Sequence, residues 1–573
     1  MKLIFSYMKP FRARMLLGLT VKVLGTVSEL FLPLILTHIL DVVIVAPTST
    51  VWTVIAWGGL MLFAAVSACI LNIVANRMAA RVSSDISGVM RQDLFDKTLR
   101  LGSRNVDRFT VPSLESRLTT DTYNVHSFIG MVQRMGVRAP ILLIGGVTIT
   151  LIMDAYLATV MLVALPFIIA TALIISRLGI GLYSRVQRSV DGMVKVVRED
   201  VQGVRVIKAL SKGEYENCRY DTVNRALSAS ERRAGVIMGL SNPIMNLFMN
   251  LGIAGVVALC ALRAKEDPSS AVTVIAFMQY FTLISMSMMV MSRVFTMMTK
   301  CIASAKRIEE IIMTPESYEV TQGEKDDTGA YISFENVSFS YLGVKNNLDN
   351  ISFSVKRGES LGIIGSTGSG KSTVIKLLLR FYEPDSGRIT VDGRDIKEYT
   401  REELASRLGV VIQNDFLMAD TVSENIRFGR DISDEDVRRA AKIAQADKFI
   451  EELEGGYEHA LSPKGTNLSG GQRQRILISR AVASDPDILI LDDSSSALDY
   501  KTDANLRRAI KENMRDTTLI TVAQRVSSVM SSSLILVLEG GRIIGKGTHD
   551  ELMASCNEYK EISDSQMGGA ILG

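Results

Sequence analysis

Six stretches of the chain stay apolar for long enough to cross a bilayer as helix, which takes about 20 residues. They fall at about 15–45, 51–75, 124–153, 156–182, 236–262 and 271–299. Short connections at 46–50, Asp154-Ala155 and 265–270 alternate with two long polar stretches, 76–123 and 183–235, that are rich in Lys and Arg. Basic residues hold loops on the cytosolic side, so the long stretches and both termini are expected in the cytoplasm. Lys2, Lys9, Arg12 and Arg14 at the start agree. Amid the charge, Met78, Val82, Ile86, Val89 and Leu99 keep an approximately helical apolar spacing, which predicts helices running on beyond the membrane. Pro112 and Gly213 interrupt that spacing, near 107–113 and 211–213, where short crosswise segments would suit contact with a cytosolic domain.

After Ile312 the pattern changes. Residues 313–329 are polar, contain Pro315 and Gly323 and lack apolar periodicity, which marks a linker. From Tyr331 onward, strand-like runs at 331–341, 351–355, 360–364, 488–491, 518–522 and 534–538 alternate with helix-like stretches, the pattern of an α/β fold. The chain therefore reads as multidomain: an all-α six-helix transmembrane domain over 1–312, a linker over 313–330 and an α/β domain over 331–573. Composition supports a membrane protein with a soluble part, since 47% of the 573 residues are hydrophobic and 22% charged. Lys and Arg total 64 against 61 Asp and Glu, a net charge of +3, so no global basic field argues for nucleic acid as a partner. Cys69, Cys218, Cys260, Cys301 and Cys556 show no metal-ligand spacing and the four histidines are dispersed, which supports neither a disulfide framework nor a zinc site. No short apolar core with a small-residue cleavage site opens the chain, so the first apolar segment is expected to be retained.

The chemistry concentrates in the second domain. Gly365-Ser366-Thr367-Gly368-Ser369-Gly370-Lys371-Ser372 has the GxxxxGK[ST] spacing and lies between the apolar run 360–364 and a helix-like run from Thr373. Glycines let backbone amides close around phosphate oxygens, the helix start adds a favourable dipole, Lys371 brings a positive charge and Ser372 can ligate Mg²⁺. Downstream, the buried-strand run 488–491 ends in Asp492, placed to deliver a carboxylate to Mg²⁺ beside the phosphates. Asp493 follows, where a second carboxylate can orient attacking water. Between them, Leu468-Ser469-Gly470-Gly471-Gln472 precedes a helix-like run, and its small residues and helix start make an anion site.

With that segment the chain resembles the ABC transporter family, whose signature reads LSGGQ. The six preceding spans resemble the type I exporter half-transporters of the family, and the resemblance covers essentially the whole chain. It implies ATP and Mg²⁺ as ligands and a sandwich of two chains, in which each ATP lies between the phosphate loop of one and the signature of the other. Tyr341 would then stack on adenine, with residues 365–372 and Thr373 around the phosphates. Gln413 would sense Mg²⁺ and the γ-phosphate, completing a metal set with Ser372 and Asp492. Ser496, Ala497, Leu498 and Asp499 match the loop that crosses the dimer interface.

Three positions depart from the family pattern. Asp493 stands where competent members carry glutamate, shorter by about 1.5 Å. A misplacement of about 1 Å can cost on the order of 10²-fold in rate, so water activation should be poor while ATP binding survives. Gln524 stands where histidine is usual; it can hydrogen-bond but cannot carry an imidazolium charge. Ser462-Pro463-Lys464-Gly465 lacks the glutamate common ahead of the signature in exporters. The first two defects, beside an intact signature, resemble the degenerate-site subunit of heterodimeric exporters of multidrug type. The resemblance implies ATP-driven export of a hydrophobic or amphipathic substrate, drug-like or lipid, from a bacterial inner or plasma membrane together with a second half-transporter. A homodimeric exporter with a slow Asp-based ATPase and a nucleotide-gated membrane regulator without transport are the rival readings. In the spans, ionisable groups are costly and so mark candidate sites: Glu29 leads, with Lys22, His38 and Asp41 nearer the span ends. Met289 and its methionine-rich neighbours in the sixth span, together with Arg293, complete the candidate substrate path.

Overall fold

The computed structural model describes residues 1–44, 50–263, 270–316, 320–321, 323, 329–413 and 415–567. The expected connections 46–50 and 265–270, apart from their last residues, and half of the expected linker 313–330 lie outside the described residues. Two compact units form, Met1–Leu99 with Val111–Thr314, and Arg100–Thr110 with Pro315–Gly573.

The first unit is helical. It contains α1 (Arg12–His38), α2 (Val51–Arg100, whose last residue belongs to the second unit) and, beyond α3 (Ser103–Phe109) of the second unit, α4 (Thr122–Met131), α5 (Arg138–Met153), α6 (Ala155–Ala209), α7 (Gly213–Gly239), α8 (Ser241–Arg263) and α9 (Ser270–Ile312). Six helical stretches among the described residues are long and apolar enough to cross a membrane. Helices α2 and α6 run for 50 and 55 residues, well past the apolar part of each, because amphipathic spacing continues through the charged sequence. The tight reversal between α5 and α6 is set by Asp154, whose carboxylate accepts the amides of Tyr156 and Leu157 at 2.9 and 3.1 Å. Phe277, Phe281 and Ile284 of α9 pack on Leu157, Ala158 and Met161 of α6. Gly252 of α8 permits this packing, since a Cβ there would stand 2.8 Å from the Phe281 ring.

The second unit holds two sheets. A four-stranded antiparallel sheet has the order β2 (Leu348–Val355), β1 (Ile332–Phe339), β4 (Ser386–Val391), β5 (Arg394–Asp395). A six-stranded sheet has the order β10 (Arg542–Gly547), β9 (Leu534–Glu539), β3 (Ser360–Gly365), β8 (Thr518–Val522), β7 (Ile488–Asp492), β6 (Leu408–Val411), parallel except for β10. Strand β7 is buried along its whole length, as its unbroken apolar run requires. Helices α10 (Lys371–Leu378), α11 (Gly470–Val482), α12 (Tyr500–Asn513) and α13 (Asn557–Met567) matter for the site. The short helix α3, from the stretch where the sequence predicts a crosswise segment, belongs to this unit, and its Asp107 accepts the Tyr382 hydroxyl.

Within the helical unit, Asp121 has a fully buried side chain and accepts from Ser304 Oγ at 2.8 Å and Arg307 Nε at 2.7 Å of α9. Removing a buried carboxylate leaves these donors without a partner. Asp121→Ala should cost about 2–4 kcal/mol, lowered from the fully buried figure because Arg307 is half exposed. Ser304→Ala, which removes the hydroxyl's bond to Asp121 and the one it accepts from Asn124 Nδ2, should cost about 1–2 kcal/mol. Thermal unfolding of the full chain in detergent measures both, and equal losses would show that the ion pair contributes nothing.

Candidate functional site

The glycine-rich loop leaves the carboxyl end of β3 and enters α10. Gly365 must lack a side chain, because a Cβ would meet the Leu538 carbonyl oxygen at 2.1 Å. Gly370, at φ +102°, starts the helix in a conformation that other residues rarely adopt. Lys371 Nζ donates to the carbonyl oxygens of Gly365 and Ser366 at 2.9 and 2.8 Å, so the lysine closes back over its own loop. Ser372 Oγ donates to Asp492 Oδ1 at 3.2 Å, which joins the helix start to the end of β7. A cavity of about 240 Å³ is lined by Lys371, Ser372, Gln413, Asp492, Asp493 and Gln524, among others. Three oxygen-bearing side chains, Ser372, Gln413 and Asp492, thus converge there, a donor set that suits Mg²⁺.

Burial pushes the Asp492 carboxyl above the usual carboxylate range, against the Ser372 hydrogen bond and the charge of Lys371. Asp493 is raised for the same reason, opposed by Lys371, Arg525 and its bond to Gln524. Burial lowers Lys371, opposed by both carboxylates. Asp493 lies in the left-handed region at φ +54°, held by its amide donating to the Val522 carbonyl at 2.9 Å. Gln524 Nε2 donates to Asp493 Oδ2 at 3.2 Å, so two of the three departures noted in the sequence touch each other.

Of the other expected residues, Thr367, Gly368, Gly370 and Thr373 also line this cavity, whereas the signature and the interface loop do not. The Tyr341 hydroxyl donates to Thr373 Oγ1 at 3.3 Å, and its ring is edge-on to Phe339 and Tyr382. Ser469 and Gln472 form a capping box that starts α11, and no residue from 468 to 472 lines the 240 Å³ cavity. Asp499 caps α12 by accepting the Thr502 amide, while Ser496 Oγ donates to the Asp493 carbonyl. Gly471 packs under this loop, where a Cβ would come 3.1 Å from the Ala497 carbonyl oxygen. In the helical unit Glu29 is ion-paired with Arg138, Met289 packs against the Ile168, Met245 and Met288 cluster, and Arg293 is exposed.

Comparison with known proteins covers both units. Residues 15–288 match the family described as ABC transporter transmembrane region, and residues 348–496 the family described as ABC transporter. The chain is similar to the uncharacterized ABC transporter ATP-binding protein YfiB of Bacillus subtilis (strain 168), 34% identical over 98% of both chains. It is also similar to the putative ABC transporter ATP-binding protein exp8 of Streptococcus pneumoniae, 31% identical over 99% of this chain and 97% of that protein. Among solved structures, a bacterial Atm1-family ABC exporter with ATP bound is similar with a TM-score of 0.80 at 25% identity, over 96% of this chain and 97% of that one.

One residue at the site escaped the sequence reading. Gln566 of α13 donates through Nε2 to the Gln524 carbonyl at 2.9 Å and accepts the Val526 amide through Oε1 at 2.8 Å. It therefore clasps the loop that carries Gln524, from 42 residues away. No periodicity or motif marks that glutamine. Gln566→Ala should speed hydrogen exchange at the Val526 amide about tenfold, the loss of roughly one hydrogen bond, and leave the Asp493 amide unchanged. Gln566→Glu, which keeps the acceptor, should restore protection at Val526; unchanged exchange in Gln566→Ala would rule the clasp out.

Proposed function

The chain belongs to the ABC transporter family, and from that premise we propose that it is the degenerate-site half of a heterodimeric exporter of hydrophobic or amphipathic substrates. Its family and fold are those of an ATP-hydrolysing exporter that works as a dimer and crosses the membrane several times. The expectations from the sequence place the nucleotide domain and both termini in the cytoplasm of a bacterial cell, with residues 1–312 as transmembrane domain and 331–573 as nucleotide domain.

The observation that carries the degenerate-site reading is the pairing of Asp493 with Gln524 beside an intact phosphate loop. In this reading the loop amides and Lys371 hold the phosphates of ATP. Ser372, Gln413 and Asp492 hold Mg²⁺, which neutralises phosphate charge when bound. A water in line with the γ-phosphate needs a base that reaches it. Asp493 is about 1.5 Å shorter than glutamate, and its Oδ2 already accepts from Gln524. Gln524 donates but carries no charge, so it adds a hydrogen bond where an imidazolium would add charge as well. ATP then stays bound for long periods in this chain's own site.

The signature serves the partner. Its capping box uses the Ser469 hydroxyl to satisfy the amide of Gln472, which leaves the amides of Gly470 and Gly471 at the helix start for a phosphate of the partner's ATP. Among the described residues, none of the signature lines the 240 Å³ cavity that the phosphate loop lines, which fits a site completed across two chains.

The experiment is to measure ATPase rates of the full chain with a partner half-transporter that carries glutamate at the equivalent position. Asp493→Asn should leave most of the activity, and the partner's Glu→Gln should abolish it. Brisk turnover by the chain alone that Asp493→Asn stops would establish a homodimer with a working Asp. Asp493→Glu should raise turnover in this chain's site about 10-fold or more with little change in ATP affinity, and Lys371→Ala should remove ATP binding there. ATP-dependent uptake into inside-out vesicles distinguishes an exporter from a regulator, which would show none.

A further inference from the structure

Four ionisable side chains meet within the helical unit, on stretches long and apolar enough to cross a membrane: Lys22 and Glu29 of α1, Arg134 in the π-helical turn Val132–Gly136, and Arg138 at the start of α5. Glu29 is engaged by Arg138, with Nη2 donating to Oε1 at 2.6 Å and Nε to Oε2 at 3.2 Å. Lys22 is 4% exposed and donates to neutral amides, Asn72 Oδ1 at 2.8 Å and Asn76 Oδ1 at 3.1 Å of α2. It lies within electrostatic reach of Arg138, Glu29 and Arg134. Arg134 Nε donates to the Gly130 carbonyl at 3.0 Å, and among the described residues no carboxylate is ion-paired with Arg134 or Lys22. Around Lys22, therefore, two further cations stand with a single carboxylate, which Arg138 already engages.

The backbone is fitted to this cluster. A Cβ at Gly130 would stand 3.3 Å from both Arg134 Nη2 and Ser83 Oγ, and one at Gly25 would stand 3.2 Å from Asn72 Nδ2. The π-helical turn is the kind of irregularity that recurs at functional sites. Excess charge at membrane depth is costly until a counter-charge arrives. Lys22 is sealed behind its amides, whereas Arg134 is exposed and the Arg138 side chain is 39% exposed. The accessible members of the cluster are thus two guanidinium groups four residues apart, Arg138 held by Glu29 and Arg134 bonded to the Gly130 carbonyl, whose planar donors suit an oxyanion.

We propose that Arg134 and Arg138 bind the headgroup of an amphipathic anion, a carboxylate, phosphate or sulfonate on an apolar body, as the exported substrate, with Lys22 as a buried positioning charge. This rests on the export reading above and narrows its substrate class. The test compares two probes with one apolar body and opposite charge, pyrenebutanoate and pyrenebutyltrimethylammonium. Their ATP-dependent uptake is followed in inside-out vesicles that hold the full chain and its partner, with Lys371→Ala vesicles and ATP hydrolysis measured alongside. The anion should be taken up at least about tenfold faster than the cation. Arg134→Gln should lower anion uptake about tenfold, the loss of one charge-assisted hydrogen bond, and Arg134→Lys should retain more of it. In phosphatidylcholine proteoliposomes, suppression of uptake by added phosphatidylglycerol assigns the site to a lipid headgroup, and unchanged uptake to a soluble amphiphile; both keep the site anionic. Preference for the cation, equal uptake of both, anion uptake that Arg134→Gln leaves intact, or uptake of neither with ATP hydrolysis intact overturns the headgroup site. Absence of both hydrolysis and uptake removes the export reading as well.

Discussion

Strands β3, β8 and β7 run parallel and side by side, so their carboxyl ends open on one edge of the sheet. That constraint assembles the proposed nucleotide site. The loop after β3 brings Lys371 and Ser372, the end of β7 brings Asp492 and Asp493, and the turn after β8 brings Gln524. Sequence positions more than a hundred residues apart become neighbours, as when Ser372 Oγ reaches Asp492. The same edge is mostly low in dielectric, which is why both carboxylates are raised and Lys371 lowered.

The helical unit depends on polar groups in a different way. Where apolar surface faces lipid, burial distinguishes one helix pairing from another only weakly, and specific hydrogen bonds set the register. Tyr280 donates to the Leu30 carbonyl, Lys22 to Asn72 and Asn76, and Arg307 to Asp121. Glycines at 25 and 252 let neighbouring helices approach closely enough for such contacts.

Much of the fold was legible because its signals are local. Six apolar stretches, the GxxxxGK[ST] loop and the LSGGQ segment each lie within a few dozen consecutive residues, and each carries its own physical reason. Contacts between distant segments were not legible. Nothing near Glu29 announces Arg138, 109 residues on, so the sequence left a carboxylate that the fold supplies with a cation. Gln566 is equally silent until α13 is folded against the loop after β8. Asp499 and Ser469 illustrate a second difficulty, since residues read for interface or nucleotide roles also serve as helix caps. One local chemistry supports both uses, and sequence alone does not apportion them.

The backbone at Asp493 bears on how such a chain can change over generations. Its left-handed conformation is one that aspartate tolerates better than glutamate, because a short polar side chain suits that region. In an active site the strain of a longer acid, of order 1 kcal/mol or more, is maintained because catalysis requires the reach. Were hydrolysis carried by a partner subunit, as proposed above, that requirement would lapse, and a shorter residue would relieve the strain. Loss of chemistry at one site would then be a gain in stability for the subunit that bears it, and an asymmetric pair of that kind would be hard to reverse.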